Sequence, residues 1–379
     1  MTLSTSILMR IRIDVNLRFS QNLTGWYHQN KRDLPWRNTN DPYKIWISEI
    51  MLQQTRVDTV IPYYEHFLEQ FPTIYDLADA DQQQVLKCWE GLGYYSRARN
   101  MHQAAKTVVK EFNGRLPDSY EKITSLKGVG PYTASAILSI AFQKKFAVVD
   151  GNVIRVLARY FGITDDIRSA KTKKRIQQHA DELISEKKPG DFNQALMELG
   201  ATVCKPGNPL CGECPLSTGC VAAASAKTDR IPYKSPSKKV PHHHIAVGLI
   251  VNDRNELLIA LRPNESMLGG LWEFPGGKQE AGESLKKTVK RELKEELGIS
   301  VEIFKKFDEL KHAYSHFKIT MHAYWCKIHS GEPAPKSSQK IEWASLEKIH
   351  SYPFPKANKT LIEKLQTMEN GDLTRFRES

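Results

Sequence analysis

Cys204, Cys211, Cys214 and Cys220 stand in the spacing C-x6-C-x2-C-x5-C, and Pro206, Gly207, Pro209, Gly212, Pro215 and Gly219 bend the chain between them. Four thiolates gathered in so short a loop suit tetrahedral zinc or a cubane iron–sulfur cluster, and ligand type alone does not choose between them. A second chemistry rests on two carboxylates. Glu49 sits in YKIWISEIMLQQT among Ile45, Trp46 and Leu52 at helical spacing. Apolar neighbours raise a carboxyl pKa and fit it to donate a proton; the alternative is a surface glutamate on an amphipathic helix. Asp150 precedes Gly151 and a strongly helical stretch in FAVVDGNVIRVLARYFG, the place of a helix N-cap and of a carboxylate expected to stay ionised. Together the two are an acid and an anion. A third set lies in GGKQEAGESLKKTVKRELKEELGI, where Glu292, Glu295 and Glu296 share one helical face. Oxygen ligands of that density suit Mg²⁺ or Mn²⁺ holding a diphosphate, the alternative being a solvated acidic helix laced with Lys and Arg.

These residues need elements to position them. From about Gln21 to Ala224 apolar residues recur at helical spacing, as in Val85, Leu86 and Trp89 or Ala134, Ile137, Leu138 and Ala141. That periodicity predicts an all-α domain over 1–224, with the cysteine loop at 204–220. In LKGVGPYTASAILSIAF, Gly128 and Gly130 form a turn and Pro131 opens the next helix. Backbone N–H groups there suit a phosphate gripped without reading sequence, or the segment is an ordinary helix corner. The Pro-, Ser- and Lys-rich stretch 225–241 reads as an extended basic linker. Residues 242–379 read as α+β: two apolar runs, HHHIAVGLIV and NELLIALR, then a Gly-rich turn and a helix over Ser284 to Leu297. No internal repeat relates the halves.

A length of 379 residues favours two domains. Lys and Arg outnumber Asp and Glu by 54 to 43, and the resulting charge of +11 favours a polyanionic partner, nucleic acid first. No apolar run approaches the roughly 20 residues that cross a bilayer. Arg10, Arg12, Asp14 and Arg18 interrupt the first twenty residues where a signal peptide needs an apolar centre, so the cytosol is expected. In that reducing compartment the clustered cysteines are expected to ligate metal rather than form disulfides; Cys88 and Cys326 stand apart. Without a heptad or an exposed apolar stripe, a monomer is expected.

SEIMLQQT, GLGYYSRARN, LKGVGPYTA, VVDGNV and the cysteine loop, in this order, resemble the catalytic domain of the MutY family of adenine DNA glycosylases over roughly residues 21 to 225. The resemblance implies a helix-hairpin-helix fold. It implies a loop like that of endonuclease-III-type glycosylases holding one 4Fe–4S cluster, more structural than chemical. The implied partner is double-stranded DNA carrying adenine opposite 8-oxoguanine or guanine. Glu49 would protonate the adenine, and Asp150 would stabilise the positive charge on the sugar, directly or through a transient covalent bond. Tyr132 takes the position where bifunctional relatives carry a lysine nucleophile, which implies base removal without strand cleavage. Gln54 and Tyr94 would enter the base stack as the adenine is extruded. Arg37 and Gln194 match pocket or DNA-facing positions.

WEFPGGKQEAGESLKKTVKRELKEELGI contains a complete Nudix signature, from Gly277 through Glu283 to Arg291–Ile299. In the MutY family the C-terminal domain resembles Nudix hydrolases but has commonly lost this metal-binding box, its task being to recognise 8-oxoguanine in DNA. HAYSHFKITMHAY resembles the loop that does so, with Tyr314, Ser315 and His316 in the key places. Glu342 and Asn358 match, more weakly, the hydrolases of 8-oxo-dGTP. Two rivals therefore stand beside a glycosylase: a dual enzyme that also hydrolyses 8-oxo-dGTP, and a catalytically silent lesion-binding protein.

Overall fold

The computed structural model describes residues 5–236, 240–314 and 316–368; Ser315 and positions 237–239 of the basic linker lie outside them. By compactness the chain divides into two units, Met1–Ala78 with Gln103–Ser237, and Asp79–His102 with Lys238–Ser379. Asp79–His102 lies inside the stretch that sequence periodicity assigns to the N-terminal domain, yet it packs as part of the second unit. Helical periodicity identifies its two helices but not the surface that covers them.

The first unit is helical, and polar caps start its key helices. Asp41 accepts from Tyr43 N at 2.9 Å before Pro42–Leu52, and Asp150 from Val153 N at 2.7 Å before Gly151–Tyr160. Pro131, after Gly130, opens Pro131–Ile140. Helices Gly151–Tyr160, Ala170–Leu183 and Pro189–Thr202 bury Val153, Leu157, Ile176, Phe192, Leu196 and Leu199 against Leu23 and Tyr27. Each such side chain contributes about 1.5–3 kcal/mol by leaving water. Pro42–Leu52 meets Pro131–Ile140 over Ile45, Ala136, Ile140 and Val148. At Gly200 a Cβ would lie 2.6 Å from that of Asn152, so only glycine lets Pro189–Thr202 pass this close to the start of the Asp150 helix.

The extended segment leading to Asp150 is pinned by Asn193, which is fully buried. Its amide donates to Ser139 Oγ and Phe146 O, both at 2.8 Å, and its oxygen accepts from Val148 N at 3.0 Å. Asn193→Ala is expected to cost about 2 kcal/mol, because buried partners lose their bonds. Urea denaturation followed by tryptophan fluorescence checks this; a loss no larger than a surface substitution gives would mean the segment is held by other contacts.

Among the described residues the second unit is built on seven strands: β1 (His242–Ile250), β2 (Leu257–Leu261), β3 (Trp272–Glu273), β4 (Gly276–Lys278), β5 (Ser300–Ala313), β6 (Lys318–Ser330) and β7 (Lys340–Ala344). One sheet has the order β4-β1-β6-β5 with β1 and β6 parallel; the other is antiparallel, β3-β2-β7. Side chains alternate across the first sheet. Ala246, Ile250, Tyr324 and Cys326 face Val289, Leu293 and Leu297 of the helix Leu285–Leu297, which Ser284 caps. Val247, Leu249, Ile319, Met321, Ala323 and Trp325 face the second sheet and Leu361 and Leu365 of the helix Lys356–Gln366. Among the described residues no helix is long and apolar enough to cross a membrane.

Candidate active site

The first unit brings Arg37, Glu49, Tyr132, Asp150 and Gln194 to the wall of one cavity of about 170 Å³. Glu49 is 5% exposed, on a helix whose other buried residues are nearly all apolar. Burial pushes its carboxyl up to about 7, more than the Tyr132 hydroxyl, donating to Oε2 at 3.1 Å, and the Arg37 guanidinium pull it down. Near neutral pH Glu49 is therefore poised between acid and carboxylate. Tyr132 is held well above the usual phenol range by burial and by Glu49, and remains a hydrogen-bond donor.

Asp150 receives Val153 N at 2.7 Å and Asn152 Nδ2 at 2.8 Å. The helix N-terminus alone leads one to expect an unperturbed or lowered carboxylate. The structure differs: burial raises Asp150 above its ordinary value, and these bonds and Arg155 only oppose that rise. Asp150 is thus a carboxyl group with much of its water removed, and its negative form gains correspondingly when a positive charge develops nearby.

Glu198 was not evident from the sequence. It lies 1% exposed, one helical turn beyond Gln194, and takes Arg32 through two bonds of 2.8 and 2.7 Å and Arg37 Nη2 at 2.7 Å. Burial acts to raise it, but the two guanidinium groups bring it down to about 2. Tyr27 OH reaches Gln194 Oε1 at 3.3 Å and carries Arg37 over its ring. The cavity therefore has a fixed polar wall of amide, guanidinium and carboxylate. The only sequence signal was the i, i+4 spacing of Gln194 and Glu198 in NQALMELG.

Gln54 and Tyr94 are both non-glycine residues in the left-handed region, with φ of 58° and 48°. Such backbone costs on the order of 1 kcal/mol and clusters at functional sites. Gly128 has φ 83° in the hairpin, whereas Gly130 is ordinary extended backbone at the helix N-cap. In the second unit Tyr314 N donates to Phe317 O at 2.8 Å, closing the turn between β5 and β6, and the Tyr94 ring stands edge-on to His316 with centroids 6.1 Å apart.

Cys204, Cys211, Cys214 and Cys220 line one cavity of about 30 Å³. Among the described residues no three His, Cys, Asp or Glu stand in a ready metal-ligating group, so the sulfurs share a cavity without closing on a centre. Burial holds the Cys214 thiol at about 11. Arg159 Nη1 donates to Cys204 Sγ at 3.3 Å. A hydrogen-bond path leaves the same loop for the larger cavity: Arg155 donates to Cys204 O at 2.7 Å and to Asn152 Oδ1 at 2.9 Å, and Asn152 in turn to Asp150.

On Leu285–Leu297 the three glutamates divide. Glu295 is exposed and pairs with Arg291. Glu296 accepts from Gly276 N at 3.1 Å, and Gly277 comes so close to Glu292 that a Cβ would meet its carboxylate at 2.2 Å. Glu273, unremarked in the sequence, joins them: burial, then the Glu273 charge, push Glu296 up to about 8.

Residues 47–186 match the HhH-GPD superfamily of base excision DNA repair proteins, and 246–364 match the NUDIX domain. The adenine DNA glycosylase of Homo sapiens is 34% identical over 93% of this chain and 75% of its own length. That of Buchnera aphidicola subsp. Acyrthosiphon pisum is 32% identical over 91% and 97%. Among solved structures, a thermostable thymine-DNA glycosylase superposes with TM-score 0.51 at 31% identity, over 57% of this chain and 99% of that one. With two carboxylates on one cavity, a hairpin, and relatives that match more than nine-tenths of this chain and three quarters or more of their own length, the chain belongs to the adenine DNA glycosylases, hydrolases of base excision repair.

Proposed function

We propose that the chain hydrolyses the N-glycosidic bond of adenine paired with 8-oxoguanine or guanine in double-stranded DNA. The observation that carries this reading is the pairing, on one cavity, of Glu49, whose carboxyl is pushed up to about 7, with the largely desolvated carboxyl of Asp150. Glu49 gives its proton to a ring nitrogen of the extruded adenine, so the base leaves with the bonding pair of the C–N bond. Asp150 stabilises the cation left on the sugar, and water adds to the sugar carbon and releases a proton. Tyr132 donates to one Glu49 oxygen, which leaves the other to carry the proton. Arg37, Gln194 and Glu198 line the base pocket, Gln54 and Tyr94 fill the stack, and Gly128 and Gly130 grip a phosphate. The loop containing Tyr314, Ser315 and His316 reads the opposite base.

The four cysteines suit one 4Fe–4S cluster: their donor set is all thiolate, they line one cavity, and an Arg159 N–H already reaches a ligand sulfur. When bound it would supply charge and cross-linking that fix the loop whose Cys204 carbonyl anchors Arg155, the guanidinium that in turn holds Asn152 beside Asp150. The charges of Glu273 and Glu292 felt by Glu296 support a second activity, Mg²⁺- or Mn²⁺-dependent hydrolysis of 8-oxo-dGTP, for which these glutamates, with Glu273 paired to Arg262 and no ready metal-ligating group among the described residues, would have to draw together around the ion. Metal-dependent release of pyrophosphate that Glu296→Gln abolishes would establish it, and no release would remove it.

The main reading is tested by single-turnover adenine release from duplexes with adenine opposite 8-oxoguanine, guanine or thymine. Release chiefly opposite 8-oxoguanine is expected, with strand breaks only after alkali, since a phenol at Tyr132 forms no Schiff base. Breaks before alkali, or no release from cluster-loaded protein, would overturn it.

A further inference from the structure

Tyr94 sits on the turn between the helices Gln82–Cys88 and Ser96–Phe112, and residues on both sides of that turn are fastened to the C-terminal part of the same unit. Before the turn, Gln83 uses both ends of its amide: Nε2 donates to Gly270 O at 2.9 Å, and Oε1 accepts from Trp272 Nε1 at 2.9 Å. Gln82 Nε2 donates to Asn264 Oδ1 at 2.9 Å. Glu90 accepts from Phe354 N at 2.9 Å and Lys359 Nζ at 3.2 Å, with its side chain 8% exposed. After the turn, Arg99 donates to Gly269 O at 2.5 Å and Asn264 O at 3.1 Å. Directed polar bonds thus bracket a backbone conformation that is unfavourable by itself and persists where its surroundings enforce it.

We infer that Gln83, with Glu90 and Arg99, is a positioning clasp through which the Nudix domain sets the Tyr94 wedge, so that reading of the opposite base bears on extrusion of the adenine. The inference rests on the proposed roles of Tyr94 and of the His316 loop. None of the clasp residues is required to touch DNA. Its indole partner, Trp272, precedes Glu273 directly and packs in the core of the second unit, so the Gln83 arm of the clasp is anchored in the core as well as in the adjoining turn of Asn264, Gly269 and Gly270.

The test uses the full-length, cluster-loaded protein with Gln83→Ala, Trp272→Phe, Tyr94→Ala and the Gln83→Ala/Tyr94→Ala pair. Trp272→Phe removes the same hydrogen bond as Gln83→Ala from the other side and keeps an aromatic ring in the core. Single-turnover adenine release is measured opposite 8-oxoguanine and guanine, and extrusion is followed by the fluorescence of 2-aminopurine in place of adenine. Each clasp variant is expected to slow release by about tenfold, the effect of one hydrogen bond, and to reduce the extrusion signal. Added to Tyr94→Ala, Gln83→Ala is expected to cost nothing more. Effects that multiply, an undiminished extrusion signal, or Tyr94→Ala acting at the parental rate would each overturn the clasp. Equal parental rates opposite 8-oxoguanine and guanine would instead overturn lesion reading, while the Gln83–Tyr94 cycle still decides the clasp on either duplex.

Discussion

Glu49→Gln is expected to lower single-turnover adenine release by about 10³-fold, within the range general acid catalysis supplies. The amide keeps the shape of the side chain and an oxygen to accept from Tyr132, so the cavity persists and only the transferable proton is lost. The parent enzyme should lose activity tenfold per pH unit above about 7, where burial has placed the Glu49 carboxyl. The variant should lack that limb. Stability supplies an independent check. A carboxyl raised in the folded state contributes stability that is fully present below the unfolded value of 4.5 and is lost as pH rises through about 7. The loss amounts to about 3 kcal/mol at roughly 1.4 kcal/mol per pKa unit. Glu49→Gln should therefore gain stability relative to the parent between pH 5 and 8 while losing activity. Residual release within tenfold of the parent would transfer the acid role elsewhere on the cavity wall.

Much of this site was legible in the sequence because local pattern determines it. Apolar neighbours at helical spacing bury Glu49, the Asp-Gly junction caps the helix at Asp150, and the spacing of four cysteines with six prolines and glycines brings their sulfurs to one cavity. What remained hidden depends on partners far along the chain. Glu198 owes its place and its low pKa to Arg32 and Arg37, more than 160 residues earlier. Glu273 lies in a two-residue strand too short to carry an alternation signal, and it acquires meaning only where the fold sets it beside Glu296. Asp79–His102 reads as part of a continuous helical array, and its place in the other unit comes from partners far along the chain, among them residues 264–272 and 352–359. The electrostatics of Asp150 escaped for the same reason: a cap is a local feature, whereas desolvation is a property of everything packed around it.

Asp150→Asn separates those two properties. Asparagine caps a helix about as well as aspartate: its oxygen accepts from Val153 N, while its NH2 group faces the Asn152 amide and gives up that one bond, so Gly151–Tyr160 should start where it does now. The negative charge is lost. Because burial already raises the Asp150 pKa, the folded state holds that charge at a cost, and the neutral variant should melt at the same temperature as the parent or higher. Adenine release should nevertheless fall by about 10³-fold, the upper range for removing one preorganised charge from a developing ionic transition state. The loss should appear in the single-turnover rate and not in the affinity for uncleaved duplex, since a neutral adenosine offers Asp150 no charge to meet before the bond stretches. Weaker duplex binding at an unchanged rate would make Asp150 a cap and a binding group only, and the cation would then have to be stabilised by the remaining carboxylate of the cavity, Glu198. Two guanidinium groups already neutralise that side chain, which leaves Asp150, rather than Glu198, as the carboxylate whose charge is available to the sugar.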